Sequence, residues 1–197
     1  MDNLEKFCYF VLFAIIAYGI YYYFSSPEYQ LKCIVSDLDG EQYCVRERSK
    51  LKEAVNLLAT IANKCKSLVH FLQEKYPTHP ITKRLVENFN TETFMETLPT
   101  SKFKAYSENK GEKLAFCLNK KKDNENLIDE HTLTFVSLHE LSHIGTKQIG
   151  HPDIFWQNFK WILEKAKEGG IHQPTDYSKK PTEFCDMMIK DNPFYDV

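Results

Sequence analysis

Five consecutive residues, His139-Glu140-Leu141-Ser142-His143, carry the side chains best suited to chemistry in this chain. Residues four apart on an α-helix lie on the same face, so His139 and His143 can present two imidazoles to one metal ion. Glu140 is offset from that face, so its carboxylate can reach a water molecule beside the metal instead of the metal itself. This HExxH spacing predicts a zinc site with Glu140 as the general base and acid.

A third histidine follows at a distance that suits the same ion. His151 lies eight residues after His143, beyond a turn bracketed by Gly145 and Gly150. Three protein ligands leave the fourth position of a tetrahedral zinc site open for water, as in catalytic zinc sites. We therefore predict His139, His143 and His151 as the ligands. Four alternatives stay open for the third position: the imidazole of His172 and the carboxylates of Glu164, Asp176 and Glu183.

Two successive helices must position these ligands. Asp129 is a candidate N-cap for a metal-binding helix whose body covers 131–145. A second helix over 154–167 ends at Gly169-Gly170 and presents an apolar face that can brace the first helix. That face consists of Phe155, Trp156, Phe159, Ile162 and Leu163.

The residues before this pair of helices predict a mixture of strands and helices. The apolar residues of 49–76 recur at helical spacing, which predicts a long amphipathic helix ended by Pro77. Loose alternation in 31–48, around Asp39-Gly40, predicts a hairpin. The remaining segments are a short helix or irregular stretch over 81–98, strands over 103–106 and 113–118, and a polar loop over 119–126.

The segment 7–24 contains no charged residue and ends in a run of tyrosines, Tyr21 to Tyr23. Eighteen residues at 1.5 Å per residue reach about 27 Å, enough to cross a thin bilayer core. A cleaved signal peptide is the first alternative, although no small-residue cleavage site follows, and a soluble helix is the second. We expect a retained single-pass membrane anchor followed by one domain over 31–197. The mixed charges on both flanks do not predict its orientation.

The net charge of the chain indicates which kinds of partner it can bind. The chain has 25 Lys and Arg against 27 Asp and Glu, a formal net charge of −2. A nucleic-acid-binding protein usually carries a basic excess, so we expect no nucleic-acid partner. The six cysteines form no CxxC pair, and the sequence leaves their state open. A local disulfide between Cys33 and Cys44 and free buried thiols are both compatible with their spacing.

The residues from the metal motif onward resemble a known family. The run HELSHIGTKQIGHPDIFWQNFKWILEKA is similar to the signature of WLM-type, Wss1-like metallopeptidases. Two flanking runs, Asn109–Lys113 and Asp176–Pro181, resemble membrane-anchored WLM-like proteins of large DNA viruses. The resemblance implies an α+β, zincin-like minimal domain, with the active-site helix packed beside a small sheet. It also implies that His139, His143 and His151 bind zinc and that Glu140 is catalytic.

Two further expectations accompany this resemblance. The strand 113–118 is a candidate edge that would bind an extended peptide by strand addition. Tyr177 has a phenol that can stabilise an oxyanion, although a purely structural tyrosine is the alternative. We therefore expect a membrane-anchored zinc endopeptidase acting on protein or peptide substrates. The alternative is a membrane protein that binds zinc without catalysis, in a structural or binding role. The sequence does not predict the oligomeric state.

Overall fold

The chain alternates helices and short strands, and the computed structural model describes residues 3–25, 31–90, 92–98, 101–121 and 126–196. Part of the expected polar loop, 122–125, lies outside the described residues. The helices are α1 (Asn3–Ser25), α2 (Leu51–Lys75), α3 (Pro80–Asn88), α4 (Glu130–Gly145) and α5 (Asp153–Glu168). The strands are β1 (Lys32–Val35), β2 (Gln42–Val45), β3 (Phe94–Glu96), β4 (Ala105–Glu108), β5 (Lys113–Phe116), β6 (Thr182–Phe184) and β7 (Met187–Ile189), followed by a 3₁₀ turn at Pro193–Tyr195.

Five strands form one mixed sheet in the order β1-β2-β3-β5-β4. The pairs β1–β2 and β4–β5 are antiparallel, whereas β2–β3 and β3–β5 are parallel. The expectation that the 113–118 strand forms an edge is wrong, because Leu114 of β5 is paired with Phe94 on one side and with Ser107 on the other. The edge strand is β4, which precedes β5 in a hairpin.

Helix α4 lies at the centre of the helical layer. It contacts α2, α3, α5 and the edge strand β4, and 12 of its 16 residues are buried. Such enclosure requires close approach: a Cβ atom at Gly145 would lie 2.8 Å from Cγ2 of Ile81 in α3. Any larger residue at position 145 would therefore push α3 away from the end of α4.

Helix α2 supplies much of the core with the predicted apolar stripe. Its buried residues include Val55, Leu58, Cys65, Leu68 and Leu72, which recur at helical spacing. Removing this surface from water is the main favourable contribution to folding. The long amphipathic helix is therefore confirmed, and its neighbour α3 is the short helix that the sequence left undecided.

Two disulfides connect strands. Cys33 in β1 is bonded to Cys44 in β2. Of the two alternatives that the sequence left open, a local disulfide and free thiols, the disulfide is therefore the one present. Cys117, directly after β5, is bonded to Cys185 in the turn between β6 and β7, a pairing that the sequence did not suggest. Among the described residues, Cys8 and Cys65 are free thiols.

Helix α1 has the length and composition of a membrane span. Its apolar segment Leu4–Phe24 has 21 residues with a mean hydropathy of 1.8, and its apolar stretch is not buried against the rest of the described chain. Because α1 covers Asn3–Ser25, it extends beyond the uncharged segment 7–24 at both ends. The predicted α+β fold, with a small sheet beside the metal-motif helix and one apolar N-terminal helix, is confirmed.

Candidate metal centre and catalytic site

The helix that carries the metal motif begins at a defined cap. The Asp129 carboxylate accepts a hydrogen bond of 2.8 Å from the Thr132 backbone N–H and another of 2.9 Å from the Thr132 hydroxyl. These bonds satisfy a backbone donor that has no partner within the helix. The predicted N-cap is therefore confirmed, and it fixes the start of the helix that carries His139, Glu140 and His143.

The three predicted ligands meet at one point. The Nε2 atom of His139 lies 3.2 Å from Nε2 of His143 and 3.1 Å from Nε2 of His151. All three candidate ligand atoms lie within 4.8 Å of one another. Nitrogens bound to a tetrahedral zinc ion at about 2.0–2.1 Å are roughly 3.3 Å apart. The imidazole cluster therefore fits a zinc ion with one coordination position left for another ligand.

The segment between the second and third histidines is held by a lysine from the β4–β5 turn. Lys110 Nζ donates hydrogen bonds to the backbone carbonyls of His143 (3.0 Å), Thr146 (2.7 Å) and Gln148 (3.0 Å). Carbonyls at a helix C-terminus lack partners within the helix, and a cation there is favourable. Lys110 thus fixes the path of the chain from His143 toward His151.

Aromatic rings from α5 support the histidines. The ring centroid of Phe155 lies 4.4 Å from that of His143, 4.9 Å from that of His139 and 4.7 Å from that of His151. Trp156 stacks on His151 at 5.5 Å. Rotamers locked by such packing hold ligands in position before a metal arrives. The expectation that α5 braces the metal helix is thus supported by direct ring contacts.

The histidines are in the protonation state that binds metals. Burial lowers the pKa of His139 to about 3, with further contributions from the neighbouring imidazoles. Burial likewise lowers the pKa of His143 to about 4, and it also lowers the pKa of His151. Metal ions bind neutral imidazole, so the cluster requires little proton release at neutral pH.

Glu140 lies between the metal helix and the edge strand. Its side chain is buried, and this burial raises its pKa to about 8, partly offset by a hydrogen bond from the Ser107 backbone. The increase means that the buried carboxylate has a high affinity for a proton, which a nearby cation would reduce. A carboxylate in this position can take a proton from a nucleophile and return it later.

The other candidate residues lie outside the cluster. His172 stacks on His131 at 4.4 Å, and Asp176 pairs with Lys179 at 2.7 Å. Glu164 on α5 is exposed, and Glu183 lies in β6. Within the described part of the chain, the cluster therefore contains imidazoles only.

Tyr177 is held in the core beside the metal helix. The residue is 1% exposed, and its ring packs 4.9 Å from that of Phe135, one helical turn before His139. Burial raises the pKa of its phenol to about 12. The structure therefore places Tyr177 in the core against Phe135, and Tyr177 does not line the cavity beside Glu140.

Sequence reasoning missed the parts of the site that come from distant segments. One is Lys110, which lies in the run Asn109–Lys113 noted for its resemblance but was given no role. The other is the β6–β7 hairpin, which forms one wall of the cavity beside Glu140. The hairpin turn at Cys185-Asp186 has positive φ at both residues, 48° and 60°, without the glycine that usually marks such a turn. The sequence around this turn, Thr182 to Ile189, therefore carries no clear hairpin signal.

Comparisons with known proteins place the chain beside viral relatives. No family model matches it. It is 25% identical over 186 residues to uncharacterized protein R325 of Acanthamoeba polyphaga mimivirus, covering 92% of this chain and 93% of that protein. It is also 32% identical over 72 residues to uncharacterized protein 136R of Invertebrate iridescent virus 6, covering 36% of this chain and 40% of that protein.

The comparison with solved structures gives a partial match. Wss1 from Saccharomyces cerevisiae superposes with a TM-score of 0.46 at 17% identity, covering 65% of this chain and 92% of that one. The fold and the site together define the chain as a mixed α+β protein with a candidate three-histidine metal centre. It is similar over nearly its whole length to one viral protein.

Proposed function

We propose that this chain is a membrane-anchored, zinc-dependent endopeptidase of the WLM type. The observation that carries the proposal is the convergence of three imidazole nitrogens, from His139, His143 and His151, beside the buried carboxylate of Glu140. Three neutral histidines with one open position are the ligand set of hydrolytic zinc. A purely structural zinc site has no use for the adjacent carboxylate.

The histidines and Glu140 have different roles in the proposed hydrolysis. The three histidines hold the ion, and zinc supplies Lewis-acid polarisation of a carbonyl and lowers the pKa of water. Glu140 accepts the proton of the attacking water and then delivers it to the amine of the departing peptide. Its burial between the rest of α4 and β4 raises its affinity for that proton.

The substrate backbone is proposed to pair with β4 as an additional strand. Its outer side is the open edge of the sheet, and β4 contacts the metal helix. Glu140 accepts a hydrogen bond from the backbone of Ser107 in this strand. An extended peptide that pairs with an exposed sheet edge gains backbone hydrogen bonds without regard to sequence. Pairing along β4 would lead the peptide past Glu140.

The apolar helix α1 supplies the proposed membrane anchor. Its segment Leu4–Phe24 is long enough to cross a bilayer, and its length exceeds the usual apolar region of a signal peptide. A single span near the N-terminus would confine cleavage to proteins at one membrane face. Viral relatives favour the membrane of a virion or of an infected cell as its location.

The test compares two acidic residues of the same helix. Glu140→Gln should retain zinc, measured by elemental analysis of the full chain in detergent, and should lose at least 100-fold in cleavage of a peptide library. Glu130→Gln is the matched control, because Glu130 pairs with Lys64 at the far end of α4. A Glu140→Gln protein that cleaves as fast as the wild type would overturn the mechanism.

The alternative is a zinc-binding protein without catalysis. It predicts zinc at one ion per chain and no chelator-sensitive cleavage by the wild type. His151→Ala should reduce zinc affinity at least tenfold under either function, whereas His70→Ala, which changes an exposed residue of α2, should not. Unchanged zinc affinity in His151→Ala would remove His151 from the ligand set.

A further inference from the structure

A large cavity opens directly beside the proposed catalytic carboxylate. It has a volume of about 670 Å³ and reaches both His139 and Glu140. Four segments form its walls: α4, α5, the residues leading into β4, and the C-terminal β6–β7 hairpin with the residues after it. A cavity of this size is typical of a site that encloses a ligand.

The cavity is apolar inside and charged at its rim. Phe135, Phe159 and Phe184 line it and are nearly fully buried, so they form the floor. Trp156 and Met187 are each 44% exposed and mark the mouth. The charged lining residues include Lys102, Lys104, Lys190 and Asp191. A charged group on the aromatic floor would be desolvated without a partner, whereas an apolar group would gain by leaving water.

The position of the cavity indicates which part of a substrate it receives. Of the four residues assigned to the centre, Glu140 and His139 line it, and His143 and His151 do not. Glu140 must deliver a proton to the amine released by cleavage. The residue that contributes this amine therefore lies on the Glu140 side of the centre, next to the cavity mouth.

We propose that this cavity binds the side chain of the residue that contributes the amine of the scissile bond, and that it selects large apolar or aromatic side chains. The proposal rests on the proposed endopeptidase function and adds its substrate class. Such a pocket discriminates in favour of phenylalanine over alanine by about 10- to 100-fold in kcat/KM. A lysine at the same position is cleaved even less, because its ammonium would lose its hydration in the apolar interior of the cavity.

The hairpin strand β7 offers a matched pair of variants. Met187 and Met188 are neighbours with 44% and 45% exposure, but their side chains lie on opposite faces of the strand. Met187 lines the cavity and Met188 does not. Met187→Trp should therefore fill the mouth, whereas Met188→Trp adds the same bulk outside it. Neither residue belongs to the three-histidine cluster, so both variants should retain zinc.

The experiment uses zinc-loaded full chain in detergent and peptides that differ only in the residue after the scissile bond. The wild type and Met188→Trp should favour phenylalanine over alanine by at least tenfold in kcat/KM. Met187→Trp should lower that ratio at least fivefold. Cleavage with equal rates for phenylalanine, alanine and lysine peptides, or equal ratios in the two variants, would overturn the pocket while leaving the endopeptidase intact.

A binding measurement separates the pocket from catalysis. The fluorescence of Trp156, which lies at the mouth, should change on titration with phenylalaninamide and much less with alaninamide or lysinamide. Selective binding without any cleavage would support the pocket and count against the proposed function. The absence of both selective binding and cleavage would overturn both.

Discussion

At the scale of single residues, Lys110 links the strand hairpin to the metal centre. Its ammonium donates to three carbonyls, and all three belong to the stretch from His143 to Gln148. Its backbone has a φ of 60°, in the left-handed region that residues other than glycine rarely adopt. The ammonium both caps α4 and orders the loop that carries His151, and we therefore regard Lys110 as a positioning residue.

Lys110→Met should weaken zinc binding by about 10- to 100-fold, the usual effect of losing a group that orients metal ligands. The physical reason is that three carbonyls lose their donor and the loop before His151 gains freedom. Zinc affinity is measured by competition with a chelator. Lys113→Met is the control, because Lys113 lies on the same hairpin and pairs with Glu108. Equal affinities in the two variants would contradict the positioning role.

His172 gives a second prediction at the residue scale, on stability and pH. It is buried, and neither ring nitrogen has a hydrogen-bond partner within the described part of the chain. Burial lowers its pKa to about 3, with smaller contributions from His131 and Lys64. The unfolded chain binds a proton near pH 6.5 and the native protein does not. The native state therefore loses stability as the pH falls from about 6.5 toward 3.

His172→Phe should remove this dependence. Between pH 7 and pH 5 the free energy of unfolding of the wild type should fall by about 1–2 kcal/mol more than that of the variant. Urea unfolding with excess chelator at both pH values measures the difference, because the metal-binding histidines then contribute equally to both proteins. The variant should be at least as stable at pH 7, since an unpaired imidazole is replaced by an apolar ring. Parallel pH profiles would refute the assignment.

At the scale of elements, the Cys117–Cys185 disulfide fastens the hairpin that forms a wall of the cavity. Two backbone bonds support it, from the Cys185 N–H to the Asn119 carbonyl and from the Asp186 N–H to the Lys120 carbonyl. The disulfide closes a loop of 68 residues, whereas Cys33–Cys44 closes one of 11 residues in the β1–β2 hairpin. In the chain-entropy account, the longer loop gives the larger stabilisation.

Replacing Cys117 and Cys185 by alanine should lower the free energy of unfolding by about 2–4 kcal/mol. It should also reduce the preference for phenylalanine peptides, because the wall carrying Phe184 and Met187 then keeps only its backbone hydrogen bonds to Asn119 and Lys120. Replacing Cys33 and Cys44 by alanine is the matched control and should cost less stability without changing the preference. Kinetics on the peptide pairs and urea unfolding provide both readouts. If the preference for phenylalanine survived the replacement of Cys117 and Cys185, or was lost on replacement of Cys33 and Cys44, the prediction would be wrong.

Features that depend on one helix or a short spacer could be predicted from the sequence, whereas features that depend on contacts between distant elements could not. The metal centre was accessible because His139 and His143 depend on one local periodicity and His151 on a short spacer. The interior position of β5 in the sheet could not be predicted, because strand order depends on pairing between segments far apart in sequence. Lys110 was missed for a similar reason. Its acceptors are backbone carbonyls, which exist at every residue and leave no mark in the sequence.

At the scale of the whole molecule, the two disulfides and the apolar helix together bear on topology. Both disulfides lie on the C-terminal side of α1. Disulfides form and persist in oxidising environments, and they are rare in reducing ones. The charges around α1 do not determine its orientation, since acidic and basic residues are mixed at its N-terminal end. The cysteines therefore provide the stronger indication of where the domain resides.

We predict that the domain after α1 lies on the oxidising side of its membrane. In membranes isolated from expressing cells and denatured without reductant, a maleimide reagent should modify two thiols per chain, Cys8 and Cys65. After reduction it should modify all six cysteines. Protease added to sealed vesicles with the cytosolic face outward should leave the domain intact until detergent is added. Six reactive thiols before reduction, together with digestion in sealed vesicles, would place the domain in the cytosol. The pocket wall would then lack its covalent tie, and apolar substrate preference should be as weak in the native protein as in the Cys117/Cys185 double variant.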